Sequence, residues 1–175
     1  MGSDTRTSLA SARRGWLNAS ERMTIAYRPL TTGDREFCIR VHHLSMRAYV
    51  EPLWGWDETK QDLLALESLE HQDAIHEIAL LNERPIGYLS YQDGSEVFFI
   101  DQLYLHPNYQ GKGHGSEIIL RLIQLAHSRH KAVELSVLVT NARAHRFYER
   151  HGFFVVKASA ERNRMRRSSG SSVST

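Results

Sequence analysis

Apolar and polar residues alternate in MTIAYRPL, residues 23–30, and a period of two predicts a half-buried strand. RPLTTGD closes it. Thr32 or Asp34 is placed to cap a helix through REFCIRVHHLSMRAYV, where Phe37, Val41, Leu44 and Ala48 recur at helical spacing on one face. Pro52 and Gly55 in EPLWGWDE are expected to break that helix, and TKQDLLALESLEHQD predicts a second, more exposed one. HEIALL and RPIGYLSYQD read as a hairpin across Asn82 and Glu83, and EVFFIDQLYL as a longer strand stopped by Pro107-Asn108. The clearest amphipathic helix is SEIILRLIQLAHSRH: Ile118, Ile119, Leu122, Ile123 and Ala126 form one stripe, with Glu117, Arg121 and Gln124 opposite. AVELSVLV has the pattern of a buried strand. NARAHRFYERHG predicts a short helix between Asn141 and Gly152, FFVV a strand, and RNRMRR a last short edge strand.

The resulting order, β-α-α-β-β-β-α-β-α-β with one further β, describes an α+β single domain. A strand, crossover helix and strand around residues 111–139 imply one parallel pairing, whereas the hairpins imply antiparallel ones. The sheet is therefore expected to be mixed, mostly antiparallel, with six to seven strands and about four helices. Residues 1–22 and 168–175 are rich in serine and lack periodicity, so they read as tails around a domain at 23–167: a disordered tail at 168–175 and, at 1–22, a disordered leader, an expression remnant or upstream translation before a start at Met23. The twin arginines Arg13-Arg14 are followed by no hydrophobic region, which argues against a secretory signal.

Composition narrows the function classes. A net charge of +2 is too small an excess to argue for nucleic acid, and no run approaches the roughly 18 apolar residues of a membrane span. The single cysteine, Cys38, cannot form an internal disulfide, fits a reducing cytoplasmic compartment, and sits where a small buried hydrophobe is expected.

HPNYQGKGHGSE, residues 106–117, places Gly111, Gly113 and Gly115 between a strand and a helix. A glycine-rich turn at a helix N-terminus is an anion site, because backbone N–H groups and the positive helix end converge there. Spacing excludes a P-loop, since Lys112 lacks the required context. A dinucleotide fingerprint fails because position 116 is Ser116 rather than glycine. What remains is Gln110-x-x-Gly113-x-Gly115. Following a strand that ends LYLHPNY and preceding an apolar helix, this resembles the acetyl-CoA-binding motif of the GCN5-related N-acetyltransferase (GNAT) superfamily. The IDQLYLHP strand, the block LSVLVTNARAHRFYERHGF and the opening YRPLTTGD occur in that family's order, so the resemblance spans about residues 24–156.

The resemblance implies a GNAT-like fold and an N-acetyltransferase that moves an acetyl group from acetyl-CoA to an amine. Backbone amides of Gly111, Lys112, Gly113, His114, Gly115 and Ser116, with Gln110, are then expected to cradle the pyrophosphate. Lys112 adds charge there or is simply solvated. Leu103, Tyr104 and Leu105 are expected to pair with the pantetheine arm like an added strand. Asn141 is expected to touch the cofactor, cap a helix, or both. Tyr148 occupies the family's tyrosine position, which implies contact with the cofactor and the role of general acid, against the plainer reading of a core tyrosine.

Acetyl transfer also needs a neutral amine. A free alkylamine has a pKa of about 10.4 and must lose a proton to a carboxylate or a water chain. Asp101 is the candidate base, because alternation puts it on one face with Leu103 and Leu105; a purely structural acid is the alternative. Glu51, Asp57 and Glu58 are runners-up. In the stretch HHLSMRAYVEPLWGWDE, Tyr49, Glu51, Trp54 and Trp56 are candidates for a lid-like, aromatic and acidic acceptor site, or Trp54 and Trp56 are core. His42-His43, His127 and His130 lack metal-ligand spacing, so no metal is expected. The primary expectation is a small-molecule amine acceptor and direct transfer in a ternary complex. A protein N-terminal or lysine acetyltransferase and a non-catalytic acyl-CoA sensor are alternatives, and a homodimer is among the family's usual states.

Overall fold

The computed structural model describes residues 24–170. The leader expected at 1–22 and most of the tail expected at 168–175 lie outside the described residues. The strands are β1 (Ala26–Pro29), β2 (Ile75–Leu81), β3 (Arg84–Asp93), β4 (Val97–Leu105), β5 (Ala132–Leu138), β6 (Phe154–Ala158) and β7 (Arg162–Arg167). The helices are α1 (Arg35–Trp54), α2 (Glu58–Leu69), α3 (His114–His127) and α4 (Ala142–Arg150). One seven-stranded sheet runs β1-β2-β3-β4-β5-β7-β6. Every neighbouring pair is antiparallel except β4 and β5, which are joined through α3 and lie parallel. This is the mixed α+β architecture that the pattern predicts.

Local chemistry explains the elements. Asn82 and Glu83 have φ of 50° and 64°, the left-handed pair that a tight two-residue hairpin between Leu81 and Arg84 requires. In α3 the predicted stripe is buried throughout, with Ile118, Ile119, Leu122 and Ala126 fully enclosed against β4, β5 and Met165. On the other sheet face α1 and α2 enclose a smaller cluster of Cys38, Val41, Leu69, Ile78 and Tyr88. Cys38 is fully buried there as a small hydrophobe, and burial pushes its thiol up to about 12.

Four expectations need correction. RNRMRR is not an edge strand: β7 lies between β5 and β6, with Met165 opposite both Leu135 and Val155. Its arginines tolerate that interior place because Glu134 of β5 bonds both Arg164 and Arg166. Pro52 does not break α1, which continues one turn to Gly55; that glycine has φ 72° and donates its N–H to Glu51 O at 3.0 Å. Leu44 and Ala48 are exposed rather than core, because the buried side of α1 turns through Cys38, Val41 and His42. Neither Thr32 nor Asp34 caps α1 through its side chain.

Asp34 has a different task. Its carboxylate receives both Arg28 guanidinium nitrogens at 2.7 Å, the Thr31 amide at 2.8 Å and the Thr31 hydroxyl at 2.7 Å, tying β1 to the start of α1. The hydrogen-bonded Arg28 holds its pKa well below the usual carboxylate range. A depressed folded-state pKa adds stability that is full above the unfolded value of about 3.9 and fades as pH falls toward the folded value. Asp34→Asn is therefore expected to cost about 2 kcal/mol at pH 7. In urea titrations repeated at decreasing pH, the gap between wild type and variant should shrink below about pH 4.

Candidate functional site

The site begins where two parallel strands part. β4 and β5 pair from Val97–Ala132 to Ile100–Leu135 and no further. On the other edge of β4, Tyr91 opposes Ile100 and Ser90 opposes Gln102, which leaves Asp101 as the extra residue of a bulge. Beyond the bulge β4 stays with β3 as far as Leu105, opposite Gly87, while β5 stays with β7 as far as Leu138, opposite Arg162. The strands splay, and a cleft of about 610 Å³ fills the wedge between them. One edge of each strand then has backbone amides and carbonyls with no neighbouring strand to meet.

The bulge also changes which residues face which way. Phe98 and Ile100 pack beneath α3, and so do Leu103 and Leu105, so the alternation shifts by one at Asp101. Asp101 therefore does not share a face with Leu103 and Leu105, as strict alternation requires. It lines the cleft and accepts from Gln92 Nε2 at 3.0 and 3.1 Å. Burial raises its pKa, against the opposing influence of Gln92, His71 and His76.

Between β4 and α3 the chain makes a 3-10 turn at Pro107–Tyr109 and then the glycine loop. Gly111 and Gly113 have φ of 72° and 89°, conformations that disfavour any side chain. Gly115 differs: it lies in the first turn of α3, and a Cβ there would meet Phe147 at 3.5 Å and Leu105 at 3.6 Å, both ordinary contacts. The first N–H groups of α3 have no partner within the helix and point out of its N-terminus. Gln110 donates Nε2 to Leu105 O at 2.8 Å, and Ser45 Oγ donates to the same carbonyl at 3.1 Å, so the end of β4 is pinned to both loop and α1. Of the loop residues, Gln110, Gly111, Gly113, Gly115 and Ser116 line the cleft together with Leu103, Tyr104 and Leu105; Lys112 and His114 do not.

The far wall comes from α4 and its entry. Asn141 Oδ1 accepts the Ala144 amide at 2.9 Å as a helix cap, and Asn141 also lines the cleft. Tyr148 faces the same space, braced by Phe147 and Phe153 at ring-centroid distances of 5.1 and 5.6 Å. Burial, reinforced by Tyr104, pushes its hydroxyl well above the ordinary phenol range.

On the α1 side the cleft collects Ser45 and Tyr49, and Tyr49 O accepts the Thr140 hydroxyl at 2.7 Å. The other candidates for that side stand elsewhere. Glu51 is exposed and 3.7 Å from Arg47; Trp54 donates Nε1 to Glu161 at 3.0 Å. Trp56 packs against His42 and His43, between α1 and α2. Asp57 caps α2 through the Lys60 amide at 3.0 Å, and Glu58 lies 3.8 Å from His43. His42 meets Gln61 at 3.1 Å, and among the described residues no cluster of three or more metal-ligating side chains forms.

Several contributors escape a pattern-based reading. Gly87 carries a real signal, a glycine inside a strand: a Cβ there would stand 2.2 Å from Tyr104 O, so only glycine lets β3 and β4 run side by side. Arg143 reaches the loop, its Nη2 3.9 Å from where a Gly111 Cβ would be, and Arg162 enters from β7. The glycines give a direct test. Gly113→Ala forces a side chain onto a left-handed backbone and should lower stability by about 1 kcal/mol. Gly115→Ala, at an ordinary helical position with tolerable contacts, should leave stability equal or higher by about 0.5 kcal/mol. Chemical denaturation of the two variants checks both.

The acetyltransferase (GNAT) family model matches residues 39–153. The aminoglycoside N(6')-acetyltransferase type 1 of Klebsiella pneumoniae is 28% identical over 128 residues, covering 61% of this chain and 64% of that one. The chain thus spans a little under two thirds of the curated relatives it first matches. Among solved structures, the PaiA N-acetyltransferase of Thermoplasma acidophilum in complex with coenzyme A superposes with a TM-score of 0.69 at 20% identity, covering 83% of this chain and 99% of that one. The spermidine/spermine N-acetyltransferase SpeG of Vibrio cholerae has a TM-score of 0.58 at 18% identity, with 83% and 93% covered. At such identities these structures speak to the fold. Among the described residues no helix is long and apolar enough to cross a membrane.

Proposed function

Because this chain belongs to the acetyltransferase (GNAT) family, we propose that it moves an acetyl group from acetyl-CoA to a primary amine of a small molecule, by direct transfer within a ternary complex. One observation carries the reading: the wedge between β4 and β5 runs into a left-handed glycine loop and the open N-terminus of α3. An extended amide-bearing arm followed by a pyrophosphate fits that sequence of surfaces. The strand edge at Leu103–Leu105 offers backbone groups to the arm, as in strand addition, except Leu105 O, which Gln110 and Ser45 already occupy. The loop and helix amides, with Arg143 beside Gly111, offer N–H groups and positive charge to the phosphates. The matched relative that by its name acts on aminoglycosides supports a small amine as acceptor.

Acetyl-CoA supplies an activated acetyl thioester; the chain supplies position and proton management. Asp101, at the bulge, is the group to accept the ammonium proton, directly or through water, and its raised pKa makes it a better base than an ordinary aspartate. Tyr148 Oη holds a proton at the cleft wall, since burial keeps the phenol protonated well past neutral pH.

Calorimetry should detect acetyl-CoA binding; its absence would refute the proposal. Tyr148→Phe should reduce kcat by about 10²- to 10⁴-fold at unchanged acetyl-CoA affinity. The acidic limb of kcat/KM should lie above the normal aspartate range and disappear in Asp101→Asn. An unchanged limb would remove Asp101 from that role.

A further inference from the structure

On β7, Arg162, Arg164 and Arg166 recur at every second residue. Met165 packs beneath α3, so the arginines face the opposite side of the sheet, the side of α1. Glu134 serves two of them, bonding Arg164 Nε and Arg166 Nη1. Among the described residues no carboxylate pairs with Arg162. Its neighbour Glu161 is taken by the indole N–H of Trp54, at 3.0 Å.

The backbone of Arg162 is nevertheless held in place. Its amide donates to Ser159 Oγ at 3.0 Å, and the same hydroxyl donates to Arg162 O at 2.6 Å, so the turn into β7 is locked. The guanidinium carbon lies 5.9 Å from the Trp54 ring centroid. Arg162 lines the cleft. Tyr104, on the β4 wall, is pushed up to about 12 by burial, and Arg162 is the charge opposing that rise.

The opposite end of the same space is the reverse in character. Asp101 stands at the bulge, and the adjacent Gln102 Oε1 is buried without a donor. Leu135 opposes Ile100 on one edge of β5 and Leu138 opposes Arg162 on the other, so the two ends lie roughly 10 Å apart along the strands and two strand spacings, again roughly 10 Å, across them, a span that the two side chains shorten. A carboxylate for an ammonium, at Asp101, and a guanidinium fork for an anion, at Arg162, therefore line one cleft, far enough apart for a ligand of several bonds.

We propose that Arg162 binds an anionic group on the acceptor, so that the preferred acceptor is a small zwitterion: an amine bearing a carboxylate several bonds away. This rests on the acetyl-transfer reading and sharpens it. A planar guanidinium matches a carboxylate with two parallel hydrogen bonds, whereas a polycationic amine meets a like charge there.

The test compares acceptors that differ only in the carboxylate: 6-aminohexanoate against pentylamine, and lysine against cadaverine. Wild type should show kcat/KM about 10- to 100-fold higher for the carboxylate member of each pair, the span expected for a charge-assisted hydrogen bond. Arg162→Gln should abolish that preference by raising KM for the carboxylates alone, and Arg162→Lys should restore part of it. Calorimetric titration of 6-aminohexanoate into the CoA-saturated protein gives a readout independent of turnover, and Arg162→Gln should weaken it by a similar factor. Acetyl-CoA affinity, followed in parallel, confirms that the variant folds. If acetyl-CoA does not bind wild type, the acetyl-transfer reading falls and this proposal with it. If it binds normally while both members of each pair react alike, or Arg162→Gln slows both equally, the assignment of Arg162 alone is overturned.

Discussion

One extra residue in β4 sets the geometry of the site. Asp101 has no partner on β3, and the pairing of β4 with β5 ends at Ile100, the residue before it. Parallel strands in a closed sheet normally satisfy each other's backbone groups, and leaving them unmet away from water is costly. Here the strand edges open instead onto a cleft large enough for an extended ligand. The divergence is supported from both sides, because β3 holds β4 through Gly87 and β7 holds β5 through Met165. Ser45 and Gln110 then converge on Leu105 O and fix the end of the open edge relative to α1 and the glycine loop.

The same bulge joins the two sheet faces. The α3 side is a packed apolar core, and its helix N-terminus and α4 form the proposed donor end. The α1 side holds a smaller core and a ring of polar and aromatic groups, and it forms the proposed acceptor end. A cleft through the sheet lets a group bound from one side react with a group bound from the other. Stability and the proposed function draw on separate residues: Asp34 and Arg28 anchor the fold outside the cleft lining, while Asp101, Tyr148 and Arg162 line it.

Much of this was legible in the chain because it rests on strong local rules. The α3 stripe, the Asn82-Glu83 hairpin and the glycine loop each combine periodicity or turn chemistry with a single local solution. What escaped was set by tertiary context. The heptad-like spacing of Leu44 and Ala48 looks like core, yet these residues form the wall of a cleft, and periodicity cannot distinguish the two. Alternation misplaced Asp101 because a bulge has no signature in hydrophobicity. RNRMRR reads as an edge because arginine is expensive inside a sheet, and only the position of Glu134, some thirty residues earlier, removes that expense. Arg162 and Arg143 were invisible for a related reason: a surface arginine acquires a role only through what stands opposite it.

If the open edge of β4 is a ligand-binding strand, bound acetyl-CoA must shield its amides. Residue-resolved hydrogen exchange, with and without acetyl-CoA, tests it most directly. Amides of β4 beyond Asp101, and those from Gly111 to Ser116, should become markedly protected when acetyl-CoA is added, while β1, β2 and α2 are unchanged. Binding that leaves the β4 amides exchanging as before would contradict it.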